Sequence, residues 1–93
     1  MALRSSRVTA TTTRARIFQA PAWATSADPV PVIVTNRDAA QTAYLGGDDV
    51  TSANGFDLLA GESVTYDAML GDDIWAVTGA ATAALRVLVG RAN

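Results

Sequence analysis

Two adjacent acid pairs, Asp48-Asp49 and Asp72-Asp73, are the first residues whose types and spacing could do chemistry. Calcium takes roughly six to eight oxygen ligands, and two such pairs on neighbouring loops would supply several of them. The spacing departs from the D-x-[DN]-x-[DN]-G calcium loop, and Asp beside Gly is ordinary turn chemistry. Glycoside hydrolysis also uses two carboxylates, held at set separations across a cleft, and nothing in so short a chain suggests that cleft. Gly46-Gly47 lacks the strand–loop–helix setting of a phosphate loop. Trp23, Tyr44, Phe56, Tyr66 and Trp75 have the faces to stack sugars or bases. Base stacking needs a basic groove, and the strand-forming part of the chain is acidic. Sugar stacking stays open, beside the commoner fate of aromatics in a core or subunit interface.

The absent residues narrow the chemistry further. The chain has no Cys, no His and no Lys, and all seven cations are Arg. Thiolate and disulfide chemistry, the usual general base and Schiff-base catalysis are therefore excluded. Catalysis would have to run on carboxylates, hydroxyls and Arg alone, so no enzyme is expected, with no catalytic residue, metal or cofactor. No apolar run is long enough to span a membrane, which takes about 18 residues. Nor does an apolar stretch follow the N-terminus, so no secretory signal is expected.

Charge is divided along the chain. Residues 1 to 16 carry Arg4, Arg7, Arg14 and Arg16 and no acid, a charge of +4, whereas residues 17 to 93 carry -6. Opposite fields of this kind steer association. Ile17, Phe18 and Trp23 follow the arginines in a segment without hydrophobic periodicity, and Pro21, Pro29 and Pro31 punctuate its end. Residues 1–29 are therefore expected to form an extended basic arm. Its arginines would steer it to a partner and Ile17, Phe18 and Trp23 would anchor it. A frayed tail is the plain alternative. The cationic cluster also has the charge to touch phosphates, but a basic arm equally suits an acidic protein surface, and nucleic acid is not the expected partner.

From Val30 the pattern is strand and turn. Val30-Pro31-Val32-Ile33-Val34-Thr35 alternates with period two, and Pro31 belongs at the start or edge of such a strand. Thr42-Ala43-Tyr44-Leu45, Ser63-Val64-Thr65-Tyr66, Ile74-Trp75-Ala76-Val77-Thr78 and Ala84 to Val89 follow. Turn signals near 46, 55, 61, 71, 79 and 90 separate them, at about the 8–12-residue spacing of a sandwich or barrel. The expected fold is all-β, a small β-sandwich or jelly-roll-like barrel over residues 30–93. A body of some sixty residues buries only about 60% of its unfolded surface. Its strands are apolar on both faces, so one face needs a cover. Self-association is the simplest cover, and Trp75 and Val77, opposite Ile74 on one strand, are the candidate interface residues.

Val32-Ile33-Val34-Thr35-Asn36 and Ala43-Tyr44-Leu45-Gly46-Gly47-Asp48-Asp49-Val50-Thr51 open a longer pattern. It continues through Asn54-Gly55-Phe56, Leu59-Ala60-Gly61-Glu62-Ser63-Val64, Gly71-Asp72-Asp73-Ile74-Trp75-Ala76 and Leu85-Arg86-Val87-Leu88. This string resembles small structural proteins of tailed bacteriophages, over about two-thirds of the chain and without the N-terminal segment. The resemblance implies a compact β module used in virion decoration or in head and tail fibres. The expected role is a capsid decoration (cement) protein on the outer surface of the head, bound to the major capsid protein as a homo-oligomer. A trimer is what the resemblance and the head's threefold positions imply. The alternative is a carbohydrate- or receptor-binding module of a phage head or tail fibre.

Overall fold

The segment Val30 to Asn36 sets the geometry of the molecule. β-Branched side chains favour extended backbone, and alternation sends Val30, Val32, Val34 and Asn36 to one face, where all four are buried. The computed structural model describes residues 2–22, 24–25, 27–69 and 71–91. In it this segment is the third of eight strands: β1 (Ala2–Ala10), β2 (Ala15–Gln19), β3 (Val30–Asn36), β4 (Ala43–Gly46), β5 (Phe56–Leu58), β6 (Ser63–Ala68), β7 (Asp73–Thr78) and β8 (Ala83–Arg91). Pro31 precedes Val32, the first β3 residue paired with β8, so its missing donor falls before that ladder begins.

The antiparallel pairs are nested: β4 with β5, β3 with β6, β2 with β7 and β1 with β8. They amount to one long hairpin folded over on itself. Pairing of β3 with β8 and β4 with β7 then closes two four-stranded sheets, β1-β8-β3-β6 and β2-β7-β4-β5. The expected all-β sandwich is what the chain forms, and its strand order is that of a jelly roll. Val32, Val34, Leu85 and Val87 from the first sheet meet Ala43, Leu45, Leu58 and Ala76 from the second in the core.

The expected arm over residues 1–29 is not separate from this body. A nested hairpin needs its first strands to pair with its last, and β1 matches β8 residue for residue from Ala2↔Arg91 to Ala10↔Ala83. β2 lies along β7 with a register shift between Arg16 and Phe18. That irregularity explains the missing periodicity. Such a bulge breaks strict alternation, and the successive residues Ile17 and Phe18 both pack on the core. Bulged edge strands also resist pairing with other chains.

The second apolar face of β7 has a cover within the chain. Val50 is 2% and Val77 6% exposed, yet neither belongs to the main core. The 47–55 loop folds back over the outer face of the second sheet, bringing Val50 against Gly46 and Gly55. A Cβ at Gly55 would lie 2.6 Å from the Tyr44 Cβ and 2.9 Å from the Val50 Cγ2, so only glycine fits that approach. Thr51 and Asn54 shape the loop: the Thr51 amide donates to Asn54 Oδ1 at 2.7 Å and the Gly55 amide to the Thr51 carbonyl at 2.9 Å.

Candidate functional site

Opposite margins of the sandwich carry the candidate sites. β1 and β2 are the edge strands on one side, joined by the short 11–14 turn; β5 and β6 are the edges on the other. Arg4 and Arg7 lie on β1, Arg14 in the turn and Arg16 on β2, and all four are exposed. The turn is tied down by the Thr78 amide, which donates to the Thr11 carbonyl at 2.8 Å, and by the Thr13 amide on Thr11 Oγ1 at 3.2 Å. Arg16 Nη1 reaches Asp73 Oδ2 at 3.4 Å, the one ion pair among the described residues. Both side chains are well hydrated, so the contact adds well under about 1 kcal/mol. The margin therefore carries four exposed cations on fixed backbone, and among the described residues only Arg16 is paired.

The expected anchors fall elsewhere. Ile17 and Phe18 are half-buried against the chain's own core and are not displayed to a partner. Trp23 lies outside the described residues. Trp75 is half-buried on the outer face of the second sheet, where it lines a shallow hollow with Thr12, Thr13, Arg14 and Asp48. Val77 lies beneath the 47–55 loop side of that face and is already buried in a single chain, leaving Trp75 as the accessible member of that pair.

Near the other margin the sandwich opens into an apolar groove of about 460 Å³. Val34, Val64 and Leu45 line its apolar depth, and Phe56 and Tyr66, 58% and 46% exposed, also line it. Asp72 and Asp73 lie on its rim. Asp72 Oδ2 accepts hydrogen bonds from the Tyr66 hydroxyl at 3.1 Å and from the Met69 amide at 2.9 Å. The Asp72 contact pushes the Tyr66 phenol above its ordinary value, helped by partial desolvation. Two aromatic faces beside fixed carboxylates suit a ligand with an apolar face and a rim of hydroxyls or cations. The five candidate aromatics do not form one platform: Phe56 and Tyr66 share the groove, whereas Tyr44 pairs with Val77 on the second sheet. The two acid pairs are separated as well, with Asp48 in the Trp75 hollow and Asp72-Asp73 at the groove. Among the described residues no three His, Cys, Asp or Glu side chains are grouped to hold a metal ion.

No family model matches this chain, and neither a curated protein nor a solved structure gives a significant match. The site therefore stands on its own geometry.

The groove was not visible in the sequence because its walls come from β3, β4, β5, β6, the turn into β7 and the start of β7. Asn36 is a second residue that spacing alone does not reveal. It is fully buried; its Nδ2 donates to the Gln41 and Leu58 carbonyls at 2.8 and 2.9 Å, and its Oδ1 accepts from the Asp38 amide at 3.0 Å. Asp38 in turn accepts from the Gln41 and Ala40 amides, which hold its carboxyl below the usual range.

Proposed function

We propose that this protein is a bacteriophage capsid decoration protein that seats on the outer head surface, as a homo-oligomer, through its arginine-bearing margin. The observation that carries the proposal is the placement of Arg4, Arg7, Arg14 and Arg16, all exposed along one side of a β-sandwich. Cations held on paired strands need little ordering on binding, and they complement an acidic protein surface. Repetition over a lattice turns weak contacts into firm attachment by multivalency, with no chemistry. The strand order adds support of a general kind, since jelly rolls recur in viral capsid and lectin domains, and fold alone does not fix function. Attachment through an extended arm would require β1 and β2 to leave their sheets, so the margin acts in place. The resemblance to phage structural proteins supports a trimer, and Trp75 is the residue offered to a neighbouring copy.

The groove favours a second role, carbohydrate or receptor binding on a head or tail fibre, because it sets Phe56 and Tyr66 beside Asp72 and Asp73. Copy number in purified particles of the encoding phage separates the two. Decoration requires a copy number comparable with the major capsid protein, spread over the head. A few copies at the tail would instead favour the fibre, and absence from the particle would overturn both.

A further inference from the structure

The outer face of the first sheet carries a polar row that shares Arg7 with the attachment margin and otherwise lies apart from it. Arg7 on β1 stands directly opposite Arg86 on β8, Arg86 opposite Thr35 on β3, and Thr35 opposite Ser63 on β6. Alternation fixes their side. Val8, Leu85, Val87, Val34 and Val64 point into the core, so their neighbours Arg7, Arg86, Thr35 and Ser63 point out. The Thr35 and Ser63 hydroxyls are hydrogen-bonded across the strands at 2.7 Å. Arg37 joins the row, its amide donating to the Ala84 carbonyl at 2.8 Å, and Arg7, Arg37 and Arg86 line one hollow of about 300 Å³.

Like charges directly opposite on antiparallel strands destabilise the sheet. Nothing within the described residues relieves that cost, because none of the three arginines has a carboxylate within 4.0 Å. The nearest acid in sequence, Asp38, has its Oδ2 engaged by the Ala40 and Gln41 amides. Three arginines lining one hollow, with hydroxyls along the same row, are suited to bind a multiply charged oxyanion through charge-assisted hydrogen bonds. We propose that Arg7, Arg37 and Arg86 form a binding site for such an oxyanion, a phosphate group or a pair of carboxylates. The site shares Arg7 with the attachment margin, but Arg37 and Arg86 lie outside it, and the site would remain if the protein attached to something else.

The test is thermal melting of the full chain in chloride, inorganic phosphate and malonate at equal ionic strength and low anion concentration. A ligand that binds only the folded state raises the melting temperature, here by about 4 °C or more in about 10 mM anion. Phosphate acting alone identifies a phosphate site, and malonate acting equally identifies paired carboxylates. The variant Arg37→Gln/Arg86→Gln should melt at or above the wild type in chloride, because the opposed charges are relieved, and should lose the response to both anions. Arg86→Gln alone gives the same direction should the double variant fold poorly. No rise in the wild type overturns the proposal. An equal rise in wild type and variant also overturns it, because a general salt effect would then explain the result.

Discussion

The two margins of the sandwich are built on opposite plans. On the basic side, β1 runs nine residues and pairs with β8 along its whole length. Among its described side chains, Val8 and Ala10 reach the core. On the acidic side, β5 has three residues, and residues 56–68 carry Asp57, Glu62 and Asp67 with no cation. Beyond its ladders with β3 and β4, that side is tied down by one residue. Asn36 ties down the Leu58 carbonyl, its amide donates to the Glu62 carbonyl at 2.9 Å, and its carbonyl accepts from the Gly61 amide at 2.8 Å. Both margins are held by ladder hydrogen bonds; the basic one displays charge, whereas the other adds a buried amide and leaves a groove. A small sandwich can thus present two unlike surfaces without a second domain.

Removing the basic margin should do the most damage. Deletion of residues 1–19 strips an edge strand from each sheet and uncovers Leu85, Ala76 and Val87, so we expect loss of cooperative folding. Circular dichroism and thermal melting check this. A β-rich, cooperatively melting remnant would show that the first two strands are dispensable, as an arm would be. Asn36→Ala strikes the other margin. Two carbonyls and the Asp38 amide lose a buried partner, at a cost of about 3 kcal/mol. The urea midpoint should fall accordingly, and hydrogen exchange should quicken first at residues 58–62. Uniform protection loss would mean that Asn36 serves the whole core and not that margin.

Smaller effects sharpen the contrast. Gly55→Ala should cost about 1–3 kcal/mol by overpacking against Tyr44 and Val50. Gly47→Ala, whose Cβ would meet only Asp49 Oδ1 at 3.7 Å, should stay within about 0.5 kcal/mol. Equal effects would remove the close approach as the reason for glycine at 55. Tyr66→Phe should cost under about 1 kcal/mol at neutral pH, given an exposed hydrogen bond. Asp72 raises the folded Tyr66 phenol above its ordinary value of 10.0. Its contribution is therefore complete below that value and fades as pH rises through the folded one. The gap between wild type and Tyr66→Phe should close in that alkaline range. A gap that persists there would place the effect in packing and not in the phenol's hydrogen bond.

Apart from the three-residue β5, the strands from Val30 onward are legible in the sequence because alternation and turn residues report a half-buried sheet directly. The first two strands were hidden for separate reasons. β1 is an edge strand whose core face sets Val8 among small or polar residues, Ser6 and Ala10, so its pattern is faint. β2 carries an irregularity that places Ile17 and Phe18 together on the core, which destroys period two. The arginines are legible as a cluster, but Ile17 and Phe18 read as anchors for a partner when the chain itself uses them. Val77 likewise reads as an interface residue until the 47–55 loop, a long-range contact, is seen to lie over it. The groove and the row Arg7–Arg86–Thr35–Ser63 depend on register between distant strands, which spacing along the chain does not encode.

Attachment through the basic margin is tested most directly by binding to undecorated heads. The full-length protein is compared with a variant carrying Ser at Arg4, Arg7, Arg14 and Arg16, after melting shows both to be folded. The margin's role predicts binding weaker by about tenfold or more, mainly through slower association. It also predicts a flatter dependence on salt, because exposed charges are screened beyond about 8 Å at physiological ionic strength. Equal binding and an unchanged salt dependence in the folded variant would contradict it and move the attachment surface to another face.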